Sequence, residues 1–436
     1  MSLYTGRYQI KTFFFKYFNL TAKNIGIIFI ATSIVNLINF FYHVIMGRIL
    51  GPSEYGVLTA LISLLYISGA LTGTLQTSVT RYISTYNAQN NLFKIKNFFN
   101  KMTIRFFILS CSIFILLVLL IKPISSFLNM ESSLPLIILG IVIIEGSLAS
   151  VTGGIVQGTG RFKVLGLNSV LGTSLKLILG ILFVYIGFKS FGAVIGILLS
   201  VLIAYLVIFL SIKDILRVKI PNDMDNNIDI KDFYKSTIMI LISTILITLL
   251  SYFDIVLVKH FFSSENTGFF SAASQIGRII LFFPGAVGIV IFPRLSEKFE
   301  KNESLRGTFL KSFLILLIIS IFFLVVYFFF PELITRIIYG DIFINITSKL
   351  ILLYGLFITI IGFINLQILY FISIKKFWYL TYFFVFFIIE VILIFNYHKT
   401  LKMVLLIEIL ISVLIFIINT ATMLILSKRL RTLRHG

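Results

Sequence analysis

Apolar residues run along this chain in twelve stretches, each long enough to cross a bilayer, with short polar connections between them. A hydrocarbon core of about 30 Å takes roughly 20 helical residues. The stretches that meet this length lie near 24–46, 56–80, 103–121, 133–157, 164–187, 190–212, 233–258, 268–293, 310–330, 348–373, 377–396 and 403–427. They predict an all-α integral membrane protein of twelve transmembrane helices. The first span is too long for a signal peptide and is not followed by a small-residue cleavage site, so it reads as a retained helix.

The pattern is interrupted once on a larger scale. Between Lys213 and Asp232 the residues Pro221, Asn222, Asp223, Asp225, Asn226, Asn227 and Asp229 form a polar linker with six spans on either side. This divides the chain into an N-terminal six-helix bundle (1–212), a linker (213–232) and a C-terminal six-helix bundle (233–436). Moving the second half back by 212 residues lays Gly268-Phe269-Phe270-Ser271-Ala272 over Gly56-Val57-Leu58-Thr59-Ala60. Arg48 then falls beside Lys259, and Arg81 beside Arg294. A later match, Arg161-Phe162 with Lys376-Phe377, takes an offset of 215. An even number of spans per half makes the repeat parallel, about an axis along the membrane normal.

Polar residues inside the spans add chemistry. Thr32, Asn36, Asn39 and His43 share one face of span 1; the same offset gives Thr244, Thr248, Ser251 and Ile255 in span 7, where the preceding Asp254 continues the polar stripe. Ser271, Gln275 and Arg278 in span 8 correspond to Thr59, Ser63 and Tyr66 in span 2. The stripes predict a polar cleft between the halves; the competing use of such residues is interhelical hydrogen bonding. Lys176 and Arg278 lie deep in spans 5 and 8, and charges there cost several kcal/mol and face a cavity or a partner. They predict either contact with an anionic substrate in the cleft or internal pairing, Glu145 being the first candidate for Lys176. Asn36, Asn39, Ser251, Gln275 and Ser271 join them as candidate substrate ligands. Asp254, Glu145 and His43 are candidate sites for a coupling ion, H+ or Na+, and Arg48, Arg81, Lys259 and Arg294 are candidate gate or rim residues.

Charge fixes the orientation. Of 37 Lys and Arg, 27 fall in the termini and the loops on their side, eight in the opposite loops and two inside spans. The positive-inside rule then places both termini in the cytoplasm, in a multi-pass inner-membrane protein. The net charge of +20 is spread over membrane-flanking loops and matches anionic headgroups better than nucleic acid. The single cysteine, Cys111, rules out an internal disulfide. The chain carries no phosphate-binding Gly-rich loop ending in Lys and Ser/Thr, no His-Glu-x-x-His and no His/Cys metal cluster, so no cofactor or metal is expected. The abundance of Phe, 47 residues spread along the chain, is compositional and carries little functional information. In span 8, Gly277, Pro284, Gly285 and Gly288 predict a bend.

Several motifs together resemble the polysaccharide biosynthesis branch of the multidrug/oligosaccharidyl-lipid/polysaccharide exporter superfamily. They are Gly47-Arg48-Ile49-Leu50-Gly51-Pro52-Ser53-Glu54-Tyr55-Gly56 after span 1, Gln157-Gly158-Thr159-Gly160-Arg161-Phe162 after span 4, and Asp254 with Asn266-Thr267-Gly268-Phe269-Phe270-Ser271-Ala272-Ala273. Phe292-Pro293-Arg294-Leu295-Ser296 completes the set. The resemblance implies two bundles in a V, a central cavity lined by spans 1, 2, 7 and 8, and alternating access. It also implies a non-enzymatic flippase that moves a polyprenyl-diphosphate-linked oligosaccharide to the outer leaflet, as a monomer among membrane lipids, with polysaccharide assembly proteins as further partners. A cation-coupled small-molecule exporter of the same fold is the alternative. A membrane glycosyltransferase would need catalytic carboxylates on an outer loop, and the longest such connection, 331–347, offers only Glu332 and Asp341.

Overall fold

The computed structural model describes residues 2–218, 230–282, 295, 297–299, 301, 303–374 and 376–435. Among them there is no strand. Nine stretches are long and apolar enough to cross a membrane, and two of these are too long for one crossing: Gly26–Ala88, of 63 residues, and Phe162–Leu210, of 49. Each of the two is broken in its middle.

The first break lies in α1 (Ser2–Ala88), at Gly51, whose φ of 71° and ψ of 173° leave the helical region. A side chain at positive φ would be strained, so glycine permits the turn. Pro52 follows with its φ already set for a first helical position and no N–H to leave unpaired. The second break joins α5 (Phe162–Phe183) to α6 (Lys189–Leu210) through a π-helical turn in which Gly187 has φ 105°. The two breaks are tied together. The Glu54 carboxylate accepts from Ser190 Oγ at 2.6 Å and Ser190 N at 3.3 Å, with Lys189 Nζ 3.6 Å away.

The first half is completed by α2 (Leu92–Leu119), the short α3 (Ile121–Phe127), α4 (Leu134–Gly158) and α7 (Lys213–Leu216). The second half contains α8 (Ile230–Phe261), α9 (Ser264–Gly277), α10 (Arg306–Phe329), the short α11 (Pro331–Tyr339), α12 (Ile344–Ser373), α13 (Tyr379–Asn396) and α14 (Leu401–His435). Helix α9 tightens into a 3-10 turn at Arg278–Leu281. Of the predicted bend in span 8, Gly277 immediately precedes this turn; Pro284, Gly285 and Gly288 lie outside the described residues, as does Arg294.

Packing orders these helices. Helix α12 is central, with 72% of its most apolar window buried against 22% for α10 and for α13, whose outer faces carry Phe322, Phe328, Phe384 and Ile392 as a lipid-facing surface would. One large apolar cluster joins Tyr42, Met46, Tyr55 and Leu58 of α1 to Val258, Phe270 and Tyr339 of the second half. These members lie toward the end that holds both helix breaks, α3 and α11, called here the α11 end, and the cluster continues through the second half to Tyr370, Ile374 and Tyr379. A second cluster, at the opposite or linker end, contains Val79, Ile83, Phe98, Ile155 and Ile212; Phe233 is its one described buried member from after the linker. Polar ties finish this linker end. Arg161 donates to both carboxylate oxygens of Asp214 and, at 2.8 Å, to Ser211 O. This pairing holds the Asp214 carboxyl below its ordinary range.

Candidate functional site

The two halves cross where the sequence offset of 212 predicts equivalence. Thr59 and Ser271, which that offset pairs, share a 2.7 Å hydrogen bond and are fully buried. One turn away, Gly56 and Gly268 allow backbone contact. A Cβ on Gly56 would overlap Ser264 O and Gly268 N, and one on Gly268 would overlap Pro52 O. Residues that touch their own counterparts lie on a two-fold axis. The facing polar stripes of spans 2 and 8 therefore meet directly here, and the interface at the α11 end is closed rather than a cleft.

Open space lies inside the first half. A cavity of about 600 Å³ is walled by both arms of α1 with α4, α5 and α6, and its polar lining includes Lys176, Asn168, Gln76, Thr32, Ser169 and Thr173. Lys176 Nζ donates to Asn39 Oδ1 and stands 4.4 Å from the centre of the Tyr42 ring. It forms no ion pair with a described residue. Glu145 lies half-buried on α4 with its Oε2 unpartnered, so the Lys176–Glu145 pair considered from sequence is not made. Asn168 Oδ1 is also without a partner. Asn36 is partly exposed one turn before Asn39. A lysine held by one amide oxygen and a ring face keeps donor capacity for an anion, because an ammonium has three N–H groups.

Arg278 is placed differently. It is 6% exposed, donates through Nε to Ser274 Oγ at 3.0 Å and through Nη2 to Ser251 O and Tyr354 Oη, and stacks 4.0 Å from the centre of the Tyr252 ring. Tyr354 in turn donates to Asp254 Oδ2 at 2.5 Å. The arginine and the aspartate are thus joined through one phenol. Ser251 contributes its carbonyl, since its own hydroxyl donates back to Ile247 O at 2.8 Å. Gln275 is half-buried one turn before Arg278. Glu390 on α13 and Glu408 on α14 are buried near enough to interact electrostatically with Asp254. Both oxygens of Glu408 and Oδ1 of Asp254 have no partner.

The remaining candidates occupy the two ends. His43 is 1% exposed, its ring nitrogens 3.4 Å from Tyr66 Oη and 3.3 Å from Tyr55 Oη. Arg48 donates to Ile337 O and Ile338 O of α11, and Lys259 to Ser264 Oγ at 2.8 Å and Asn129 O at 3.3 Å. Arg81 is exposed near the far end of α1, remote from these. Sequence reasoning placed Tyr66 only as the counterpart of Arg278 and passed over the tyrosines 42, 252 and 354 that surround the cations. Among 19 Tyr and 47 Phe, an aromatic-rich background hides them, although Tyr55 stands inside the Gly-Pro-x-x-Tyr-Gly motif.

Comparison with known proteins adds to this geometry. Residues 45–348 match the profile of a polysaccharide biosynthesis protein family. A putative O-antigen transporter of Shigella flexneri is 22% identical over 302 residues, covering 68% of this chain and 71% of that protein. An inward-facing multidrug resistance MATE family transporter of the MOP superfamily superposes with a TM-score of 0.74 at 17% identity, over 91% of this chain and 96% of its own. The outward-facing form of such a transporter gives 0.64 at 18% identity, over 94% and 96%. A MOP superfamily transporter from Pyrococcus furiosus, described as having a binding pocket of reversed polarity, gives 0.63 at 19% identity, over 94% and 96%. These likenesses establish a MATE-like transporter fold.

Proposed function

Because the chain belongs to the polysaccharide biosynthesis protein family, we propose that it is a flippase that carries a polyprenyl-diphosphate-linked oligosaccharide across the inner membrane by alternating access. The arms of α1, the arms of the α5–α6 segment and the other long helices make twelve spans in two six-helix bundles, 1–212 and 233–436, set in a V and joined by the 213–232 linker. Both termini face the cytoplasm. The α11 end then faces outward, and the sealed crossing at Thr59 and Ser271 makes this the inward-facing state. The relative similarity to the inward-facing transporter supports that assignment.

The observation that carries the reading is the Lys176 cavity. A diphosphate cannot enter a low-dielectric layer without compensation, and Lys176 offers an ammonium at the wall of a largely apolar space into which a few hydroxyls and amides, among them Gln76, Asn168 and Thr173, bring hydrogen-bonding groups suited to sugars. Asn36 and Asn39 extend that lining along α1. The polyprenyl tail stays in the bilayer. The protein makes and breaks no bond; it works as a monomer, with membrane lipids and polysaccharide assembly proteins as its neighbours. Arg278 serves as the internal counter-charge of Asp254, and the unpartnered oxygens of Asp254 and Glu408 accept the coupling H+ or Na+.

The buried acids also favour a second reading, cation-coupled export of small molecules, since they supply a coupling site whatever the cargo. Proteoliposomes separate the two. We expect a fluorescent polyprenyl-diphosphate oligosaccharide to change leaflet at a rate proportional to folded protein, with no uptake of organic cations under an imposed pH or Na+ gradient. Uptake of the cations without lipid movement would replace the flippase by the exporter.

A further inference from the structure

The short helices α3 and α11 close the α11 end in matching ways. Tyr339, the last residue of α11, is buried against Gly47, where any Cβ would overlap its ring. Its hydroxyl lies 3.0 Å from Tyr55 Oη, and Arg48 donates to the two carbonyls before it, Nε to Ile338 O at 2.8 Å and Nη2 to Ile337 O. A cation is favoured at a helix C-terminus, where carbonyls lack intrahelical partners. In the other half, Phe127, the last residue of α3, stacks on the His260 ring at 3.9 Å and 4°. His260 Nδ1 is 2.7 Å from Phe127 O, Asn129 Nδ2 donates to His260 O at 2.9 Å, and Lys259 Nζ donates to Asn129 O at 3.3 Å.

The same offset relates the two sets. Adding 212 to Gly47 and Arg48 gives Lys259 and His260, and adding it to Phe127 gives Tyr339. In each set, the end of one half's first long helix holds the last residue of the other half's short helix. The chemistry differs, a guanidinium and a phenol in one and an imidazole stack in the other, while the geometry is shared.

We propose that these are two symmetry-related latches which lock the α11 end, and that opening this end requires both to release in one concerted movement. The two sit on opposite sides of the axis through Thr59 and Ser271, so rotation of one half about the other separates both. One latch alone cannot be opened by that rotation. This inference rests on alternating access but not on the nature of the cargo.

Outside accessibility of a cysteine at Ser63 tests it. Ser63 is 1% exposed, one turn below the Thr59–Ser271 contact, and takes no part in either latch. In a Cys111→Ser background, a membrane-impermeant maleimide is added to intact cells, with Glu332→Cys on the exposed face of α11 as the marker of sidedness. We expect Tyr339→Ala and His260→Ala each to raise Ser63→Cys labelling about tenfold, and the double variant about hundredfold, since each tenfold corresponds to ~1.4 kcal/mol on one shared equilibrium. Tyr339→Phe, which keeps the ring and loses one hydrogen bond, should give about threefold and guards against loss of folding in the alanine variant. Unchanged labelling in folded Tyr339→Ala and His260→Ala protein would overturn the latches. A double variant no faster than the faster single one would overturn the concerted release. Glu332→Cys reacting only after permeabilisation would reverse the membrane orientation proposed above, and the same labelling from the other face would still decide on the latches.

Discussion

Lys176 lies in the middle of α5 and Arg278 opens the 3-10 turn that ends α9, one cation in each half, and their surroundings differ in kind. Lys176 stands at a cavity wall, held by an amide oxygen and an aromatic face and unpaired with any described acid. Arg278 is closed in, with Ser251, Ser274 and Tyr354 as partners and Asp254 one phenol away. A shared template has therefore been used for two tasks. In the first half the cation borders open space, whereas in the second half it is joined through Tyr354 to a buried acid, with only its Nη1 left without a partner. The networks meet at the interface, where Arg278 stacks on Tyr252, Tyr252 packs on Tyr66 at 4.6 Å, and Tyr66 reaches His43.

The largest effect that would break this contrast concerns the closed cation. Arg278→Gln leaves Asp254, joined to the arginine through Tyr354, buried without a nearby cation, and the cost of breaking a direct buried pair, about 3–5 kcal/mol, is the upper bound. We expect severe loss of folded protein in the membrane, restored by adding Asp254→Asn. Fluorescence size-exclusion of detergent extracts reads the amount. Normal abundance of Arg278→Gln alone would mean that the arginine is not holding the acid.

Next in size is the crossing itself. Gly56→Ala places a methyl against Ser264 O and Gly268 N, so the helices must part, at a cost of roughly 1–3 kcal/mol for overpacking. Gly73→Ala, in the same arm of α1 with nothing within 4 Å of its would-be Cβ, is the control and should change thermal stability little. Equal losses in the two variants would remove the special status of the crossing.

The all-helical, membrane-crossing character of the chain and the 212-residue offset were legible in sequence because hydropathy and residue order each record them independently. The offset even named Thr59 and Ser271, which touch. The break at Gly51 was present as a motif without its meaning. Less was legible of what each polar stripe faces. Helical periodicity tells which residues of span 1 share a side, but the neighbour that covers this side is set by tertiary packing. Asn39 accordingly meets Lys176 of the same half, and His43 is enclosed by Tyr55 and Tyr66. Thr244, Thr248 and Ser251 spend their hydroxyls on carbonyls of their own helix four residues back. Helices α3 and α11 escaped notice because seven and nine residues are too few for a crossing and read as loop.

A smaller effect belongs to the linker end. Asp214 and Arg161 are 58% and 31% exposed, so their pair contributes less than about 1 kcal/mol. The pairing lowers the Asp214 carboxyl in the folded protein, so its contribution is present above the ordinary carboxylate range, near about 3.9, and is lost as the pH falls through the lowered value. Asp214→Asn should lower the Tm slightly at neutral pH, and the difference from the parent should vanish in acid. A difference that grows on acidification would assign the pair another role.

The asymmetry between the two cations is tested most directly by the Kd of a short-chain polyprenyl-diphosphate oligosaccharide for purified protein. Losing a hydrogen bond from a charged donor costs about 1.5–3 kcal/mol, so Lys176→Gln should weaken binding by roughly 10- to 150-fold. Lys176→Arg should recover part of the loss, and the Arg278→Gln, Asp254→Asn pair should bind within about threefold of the parent, inside the spread expected for sites without a shared contact. Unchanged binding by folded Lys176→Gln, with the loss appearing in the neutralised pair instead, would contradict the account.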